Sequence, residues 1–186
     1  MTSIEADIRS WSAEVLETPN PHLPNSLPAC PYAKAAWMDN KVKVVEVEKI
    51  IDGTVKEADQ FFSHDHEVVV VASYTLPNAE EFWEVTEILN DLYAQRDIHI
   101  MVFHPEYGAE EAELDFLYDH EWESGIESDY CMAFLQQLSQ VDAASKKLEK
   151  LGYYKAFPEE DFFNLVLERR RRLHNGDETS LDEEKD

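Results

Sequence analysis

Residues 98–108 read IHIMVFHPEYG. A run of large apolar residues leads into a His-Pro pair and ends at Gly108, the pattern of a buried strand that stops at a turn. Two earlier stretches also have strand character. Residues 41–48 (KVKVVEVE) alternate valine with charge, as a half-exposed strand does, and residues 67–74 (EVVVVASY) are almost continuously apolar, as in a strand buried on both faces.

Helical patterns separate these three strands. Residues 54–62 favour a short helix, and Asn78 is a good cap for a longer helix, whose predicted buried face is formed by Phe82, Val85, Ile88, Leu89 and Leu92. Alternation of strand and helix predicts right-handed crossovers and parallel pairing of the second and third strands. The sequence therefore predicts an α/β protein with a mainly parallel or mixed small sheet covered by helices.

The two ends of the chain are predicted to be helical. Residues 4–16 carry apolar side chains at helical spacing after a Thr-Ser cap, and five prolines in residues 18–31 exclude regular structure there. Residues 130–151 favour a long helix, broken around residues 139–142 and closed by Gly152, and residues 160–174 a final helix. We expect one α/β domain over residues 1–176, with a helical C-terminal third, followed by a disordered acidic tail over residues 177–186.

Composition narrows the possible partners. The 186 residues include 40 acidic and 16 basic side chains, for a formal net charge of -24, and 44% of the residues are hydrophobic. A surface with this charge repels phosphate backbones and anionic lipid, so nucleic acid and membranes are poor partners. Cationic ligands, metal ions and a basic protein partner remain open. With no apolar leader after Met1 and only two cysteines, we expect a cytoplasmic protein with reduced thiols.

The candidate catalytic residues surround the carboxyl ends of the predicted strands, where open α/β sheets bind ligands. Pro31 favours a short helix over residues 31–37 with Cys30 at its N-cap, where the helix dipole would lower the pKa of the thiol. His104 and Tyr107 follow the third strand, and Lys34 lies beside Cys30 in sequence. The alternative is that Cys30 is a small buried apolar residue.

A second candidate site is a divalent transition-metal site in the acidic stretch of residues 110–128. If this stretch is helical, Asp115 and Asp119 share one face, and His104 or His120 could complete the ligand set. The alternative is a solvated acidic loop. The pair His64 and His66 falls between a helix and the second strand, so we expect a turn whose histidines are inert.

Several segments resemble the uncharacterised bacterial DUF1415 family. They are CPYAK at residues 30–34, FHPEY at residues 103–107 and Ser-Asp-Tyr at residues 128–130. The resemblance covers roughly residues 7–173, and the chain departs from the family in a proline-rich insertion at residues 19–28 and in residues 125–129. It implies candidate residues at these motifs but no reaction.

Two functions remain open at this point. One is an enzyme or small-molecule binder in which His104 acts as a base or a metal ligand, Cys30 as a nucleophile or ligand, and Tyr107 as a hydrogen-bond donor. The other is an acidic interaction or charge-mimic protein that binds a basic protein partner through residues 110–127. Four consecutive arginines, residues 169–172, could bind a phosphate or another subunit, but ion pairs and compensation of the helix dipole are the favoured role.

Overall fold

A computed structural model describes residues 3–106 and 129–178. Its centre is a four-stranded mixed sheet with the strand order β1-β2-β4-β3. Strands β1 and β2 are parallel, and β4 is antiparallel to both of its neighbours. The strands are β1 (Val42–Glu46), β2 (Val68–Ser73), β3 (Ile98–Phe103) and β4 (Cys131–Gln137). The predicted fold class, a small mixed sheet covered by helices with a helical C-terminal part, is confirmed.

Strand β4 is the main difference from the sequence prediction. Residues 131–137 form a strand and not the start of a long helix, and this strand lies between β2 and β3, so the predicted pairing of those two strands is wrong. Cys131 and Leu135 pack into the core on one face of the sheet, while Met132 and Phe134 pack into the core on the other. Because both faces are covered, the strand shows no alternation of apolar and polar residues that would distinguish it from a helix.

The helices differ from their predicted bounds mainly at their ends. Helix α3 begins at Ile50 rather than Thr54, and α7 continues through Gly176, so the predicted end of the final helix is wrong. Short π-helical turns, Ser12–Leu16 and Phe163–Leu167, follow α1 and α6. The helices are α1 (Ile4–Trp11), α2 (Ala33–Met38), α3 (Ile50–Asp59), α4 (Ala79–Ala94), α5 (Leu138–Lys150), α6 (Glu159–Phe162) and α7 (Glu168–Glu178).

Helices cover both faces of the sheet. Helices α3 and α4 pack on the face to which Val69 and Val71 point, and α1 packs on the opposite face with Val70 and Ala72. Successive residues of a strand point to opposite faces, so β2 is buried on both sides, as its composition predicts. Both crossovers, β1 to β2 and β2 to β3, move in the same direction across the sheet, and right-handed connections then place α3 and α4 on one face.

Polar caps fix several of the helix ends. The side chains of Ser3 and Asn78 accept hydrogen bonds from backbone N–H groups in the first turns of α1 and α4, and Gly152, with φ of 77°, closes α5. The start of α5 depends on a residue from another part of the chain. Asp97 accepts hydrogen bonds from the backbone N–H of Ser139, at 2.6 Å, and from its hydroxyl, at 2.7 Å.

Helix α4 also covers the outer edge of β3, the last strand of the sheet among the described residues. The buried Asn90 amide accepts a hydrogen bond from the N–H of Ile100 at 2.8 Å and donates one to the carbonyl oxygen of Ile100 at 2.9 Å. This amide occupies the position that a neighbouring strand would otherwise take. With Asn90 facing inward, Ile88 and Leu92 are 59% and 62% exposed, so their prediction as buried residues is wrong.

None of the helices in the described ranges combines the length and the apolar character that crossing a bilayer requires.

Candidate functional site

Cys30 lies beside the π-helical turn that follows α1. Its backbone N–H donates a hydrogen bond to the carbonyl oxygen of Leu16 at 2.9 Å, and the residue is half-buried. Helix α2 begins at Ala33, so Cys30 precedes it instead of capping it. Burial raises the pKa of the thiol, more strongly than backbone hydrogen bonds from Tyr32 and Ala33 lower it. The predicted lowering of this pKa is therefore wrong, because loss of water outweighs the local N–H groups.

His104 follows β3 and is 4% exposed. Its Nε2 lies 3.0 Å from the carbonyl oxygen of Pro77, which can only accept, and its Nδ1 accepts a hydrogen bond from the N–H of Glu106 at 3.2 Å. Both ring nitrogens are thus engaged by backbone groups. These contacts connect the turn after β3 to the segment before α4.

No hydrogen bond joins the Cys30 thiol to the His104 ring among the described residues. The His104 ring lies against Phe82, with centroids 6.3 Å apart, and Phe82 belongs to the core on the α3 and α4 face. The backbone N–H of Cys30 is hydrogen-bonded to Leu16, which packs against the core on the α1 face. Lys34, the third of these predicted residues, is exposed on α2.

The remaining predicted site residues lie outside the described ranges: Tyr107, Asp115, Asp119 and His120. The predicted metal site depends mainly on these residues, so it stays a prediction. Within residues 3–106 and 129–178, no group of three or more histidine, cysteine, aspartate or glutamate side chains is arranged to hold a metal ion.

A cavity of about 150 Å³ opens near the amino end of β2, away from the predicted cleft. Its wall combines aromatic side chains from the turn after α3, imidazole groups from the segment before β2, and amide groups from the end of β4 and the first turn of α5. The lining includes Phe61, Phe62, His64, His66, Gln137 and Gln140. Two segments that are far apart in sequence therefore form one recess with a mixed apolar and polar lining, which no local pattern indicated.

A buried ion pair supports the His64 side of this cavity. The Glu57 side chain is only 5% exposed and lies 2.7 Å from the Lys43 ammonium group. The amide of Gln60 donates a second hydrogen bond to Glu57, at 2.7 Å. The Lys43 ammonium also lies 3.2 Å from Nε2 of His64, so strand β1 and helix α3 together position this imidazole.

His66 lines the cavity and has one unsatisfied ring nitrogen. Its Nδ1 is buried and has no hydrogen-bond partner within the described part of the chain. A buried polar atom without a partner costs on the order of 1–3 kcal/mol, and such atoms are few in native proteins. Because this atom lies beneath the surface of the recess, the recess is a candidate ligand site through its concave shape and mixed lining.

The chain bends at residues 64 and 65, between α3 and β2, where a turn is predicted. The ring centroids of His64 and His66 are 6.1 Å apart in this segment. The His-X-His spacing directly before a strand was the signal that could have indicated this.

The arginine run mostly pairs with carboxylates. Arg170 contacts Asp142 and Glu149, and Arg172 contacts Glu87 and Asp91 of α4. These ion pairs hold α7 against α5 and α4. They agree with the favoured role of the run.

Comparisons with known proteins give no further assignment: no family model matches the chain, and no curated protein or solved structure matches it. The resemblance to the DUF1415 family therefore stays a prediction.

Proposed function

We propose that this protein binds a small molecule in the cavity lined by His64 and His66. The observation that carries the proposal is the recess of about 150 Å³ itself, in which an aromatic side chain, two imidazoles and two glutamine amides line one concave surface. Functional sites combine a concave surface with a few convergent polar groups. This recess has both features.

The size of the cavity limits the ligand. An apolar cavity of about 150 Å³ in another protein accommodates benzene. A cavity of the same volume with a mixed apolar and polar wall suits a molecule of similar size that also forms hydrogen bonds. Phe61, which is 3% exposed, supplies an apolar wall, and the two imidazoles supply the polar contacts.

The surrounding charges also select among ligands. Asp65 and Glu67 border the cavity and Glu57 lies behind His64, and these three carboxylates outnumber the nearby cations Lys43 and Lys41. Together with the net charge of -24, these carboxylates disfavour anions. We therefore expect neutral or cationic ligands.

Ligand-observed NMR with a fragment library sorted into anionic, neutral and cationic members tests the proposal. Neutral and cationic fragments of about benzene size should bind the wild-type protein, and the variant His64→Ala/His66→Ala should lose these signals. His174→Ala, which removes an exposed histidine on α7, is the matched control and should keep them.

A second pair of variants tests the location without removing polar groups. Gln140→Trp should fill the cavity and abolish binding, while Gln95→Trp, at an exposed position after α4, should have no effect. If no fragment binds, or if fragments bind equally well to the cavity-filled protein, the proposal is wrong. Circular dichroism and a thermal unfolding curve establish that each variant is folded.

A further inference from the structure

Among the described residues, strand β1 pairs through one edge only, with β2. We propose that its outer edge binds an extended, basic segment of a partner protein as an additional strand. This proposal is independent of the cavity, because no residue of β1 lines it. Three observations support it: the direction of the backbone groups of β1, the lack of the usual protection of an edge, and the charge beside this edge.

The hydrogen bonds of β1 show which backbone groups face away from β2. Just before the strand, the carbonyl oxygen of Lys41 accepts a hydrogen bond from the N–H of Val68 at 3.1 Å. Just after it, the N–H of Val47 donates to the carbonyl oxygen of Ala72 at 2.9 Å. Alternate residues of a parallel strand bond to the same neighbour, so the odd-numbered positions face β2. The backbone groups of the even-numbered positions point outward and form no hydrogen bond with another described residue: Val42, Val44 and Glu46.

The outer edge of β1 faces solvent. Every residue of β1 is at least partly exposed, whereas β2 is buried from Val69 to Ser73. Val44 packs against the core on the α1 face, and Val45 packs against the core on the α3 and α4 face. With both faces packed and one edge bonded to β2, the outer edge is the part of β1 that solvent reaches. Water can therefore satisfy its backbone groups until a partner replaces it.

The residues of β1 do not protect this edge. Natural sheets protect an edge with a covering element, a proline, a bulge or a lysine that blocks a second strand. The opposite edge of the sheet is covered, because Asn90 of α4 bonds to both backbone groups of Ile100. Strand β1 contains no proline, its pairing with β2 has no bulge, and its Lys43 is held by Glu57 at 2.7 Å. The edge is therefore suited to the addition of a strand.

Carboxylates gather at the carboxyl end of β1. Burial raises the pKa of the Tyr74 hydroxyl, and three nearby negative charges raise it further: those of Asp7, Glu46 and Asp129. Glu46 is exposed, and so is Glu48, two residues further along the chain. Neither glutamate forms an ion pair within residues 3–106 and 129–178. This end of the edge is therefore negatively charged.

The cations near β1 are fewer, and two of them are close to carboxylates. Lys43 pairs with Glu57 at 2.7 Å. Lys41 lies 4.0 Å from Glu67, and Lys49, after the strand, is exposed. With a net charge of -24, the protein attracts a cationic segment and repels an acidic one, including a second copy of this chain.

The side chains of β1 define the pattern of the incoming strand. Directly opposite residues of paired strands lie on the same face and contact each other. Val42 and Val44 favour apolar residues opposite them, and Glu46 and Glu48 favour basic residues. Antiparallel pairing is the more stable arrangement. From its N-terminus, the incoming strand therefore carries two basic and then two apolar residues at alternate positions.

A peptide with this pattern and blocked ends, KTKTVTV, tests the proposal. In the antiparallel register its lysines lie opposite Glu48 and Glu46, and its valines opposite Val44 and Val42. Amide exchange of the full-length protein is followed by NMR. In the free protein, the amides of Val42, Val44 and Glu46 should exchange at least about tenfold faster than those of the two residues between them, which bond to β2. The peptide should slow the exchange of these three amides.

Modified peptides separate strand pairing from the attraction of any cation to an acidic protein. N-methylation of the third and fifth residues of the peptide removes N–H groups that face β1, and it should abolish the effect on exchange. N-methylation of the fourth and sixth residues, whose N–H groups point away from β1, should preserve the effect. The acidic peptide ETETVTV should bind at least about tenfold more weakly than KTKTVTV.

Two variants of the protein test the location. Glu46→Lys should weaken the binding of KTKTVTV about tenfold and strengthen the binding of ETETVTV. Glu84→Lys, at an exposed position of α4, makes the same change in net charge and should have little effect. Val44→Pro removes one outward N–H without removing a bond to β2, and it should abolish binding. Circular dichroism establishes that each variant is folded.

Four outcomes would contradict the proposal. Slow exchange of the three outward amides in dilute free protein would mean that the chain itself covers the edge. Protection that rises with protein concentration would assign the edge to a second copy instead of a basic partner. Equal binding of the two N-methylated peptides would reduce the interaction to charge attraction. If KTKTVTV leaves amide exchange unchanged, the edge does not accept a basic strand.

Discussion

The buried ion pair behind the cavity gives the sharpest prediction. Lys43 and Glu57 are 2.7 Å apart, and their side chains are 26% and 5% exposed. Removing one partner of a buried pair leaves the other charge unpaired and costs about 3–5 kcal/mol. Water reaches Lys43 and Gln60 still donates to Glu57, so we expect Lys43→Met to lower the free energy of unfolding by about 2–4 kcal/mol.

The two partners should respond differently. Glu57→Met leaves an ammonium that is partly exposed to water and still contacts His64, so the expected loss is about 1–2 kcal/mol. The double variant Lys43→Met/Glu57→Met buries neither charge, and replacing a buried pair by apolar residues is often close to neutral. We expect its free energy of unfolding to lie within about 1 kcal/mol of the wild-type value.

Urea unfolding followed by tryptophan fluorescence measures all four proteins. The double-mutant cycle should give a coupling energy of at least about 2 kcal/mol. If Lys43→Met costs less than about 0.5 kcal/mol, in the range of a surface pair, then the pair is not desolvated and the reasoning is refuted. A double variant as unstable as Lys43→Met would refute it equally, because the loss would then not arise from an unpaired charge.

Three further predictions concern positions outside the cavity. Asn90→Ala leaves the N–H and C=O of Ile100 without partners. It should lower the free energy of unfolding in urea by about 2–4 kcal/mol and make amide exchange at Ile100 faster. Unchanged exchange would contradict the edge-strand role of Asn90. Burial would raise the pKa of Asp142, but hydrogen bonds from Lys146 and Arg170 outweigh it and hold this pKa below its ordinary value. The Asp142 carboxylate therefore contributes to stability above its unfolded-state pKa, and this contribution is lost as the pH falls through its folded-state pKa. The difference in unfolding free energy between the wild-type protein and Asp142→Asn should become smaller below about pH 4. A difference that does not depend on pH would exclude this linkage. Because burial raises the pKa of Cys30, its alkylation by iodoacetamide at pH 8 should be at least about tenfold slower in the native protein than in urea, and equal rates would contradict its burial.

The sequence determined much of the layer architecture. The strand over residues 98–103 has the predicted bounds, and the valine-rich strand over residues 68–73 is buried on both faces as its composition indicated. Asn78 and Gly152 begin and end helices where expected. These features depend on short-range physics, namely the backbone preferences, caps and periodicity of neighbouring residues.

Local sequence patterns did not predict the strand at residues 131–137 or the inward face of helix α4. A segment that is apolar on every side fits a central strand or a buried helix, and the open position between β2 and β3 decides which of them forms. On α4, hydrophobicity alone favoured Ile88 and Leu92 as the inward residues. The structure turns Asn90 inward instead, because Ile100, on the outer edge of β3 among the described strands, offers its amide two hydrogen bonds.

The candidate site was decided almost entirely by tertiary structure. The sequence by itself supplied the residue types, including Cys30, His104 and the pair His64 and His66, but it could not state which of them meet. Cys30 and His104 contact residues that pack on opposite faces of the sheet, Leu16 and Phe82, while the segment before β2 brings the ring of His64 beside that of His66, within reach of a lysine from β1. The physical reason is that side-chain chemistry is local, whereas proximity and loss of water depend on how distant segments pack.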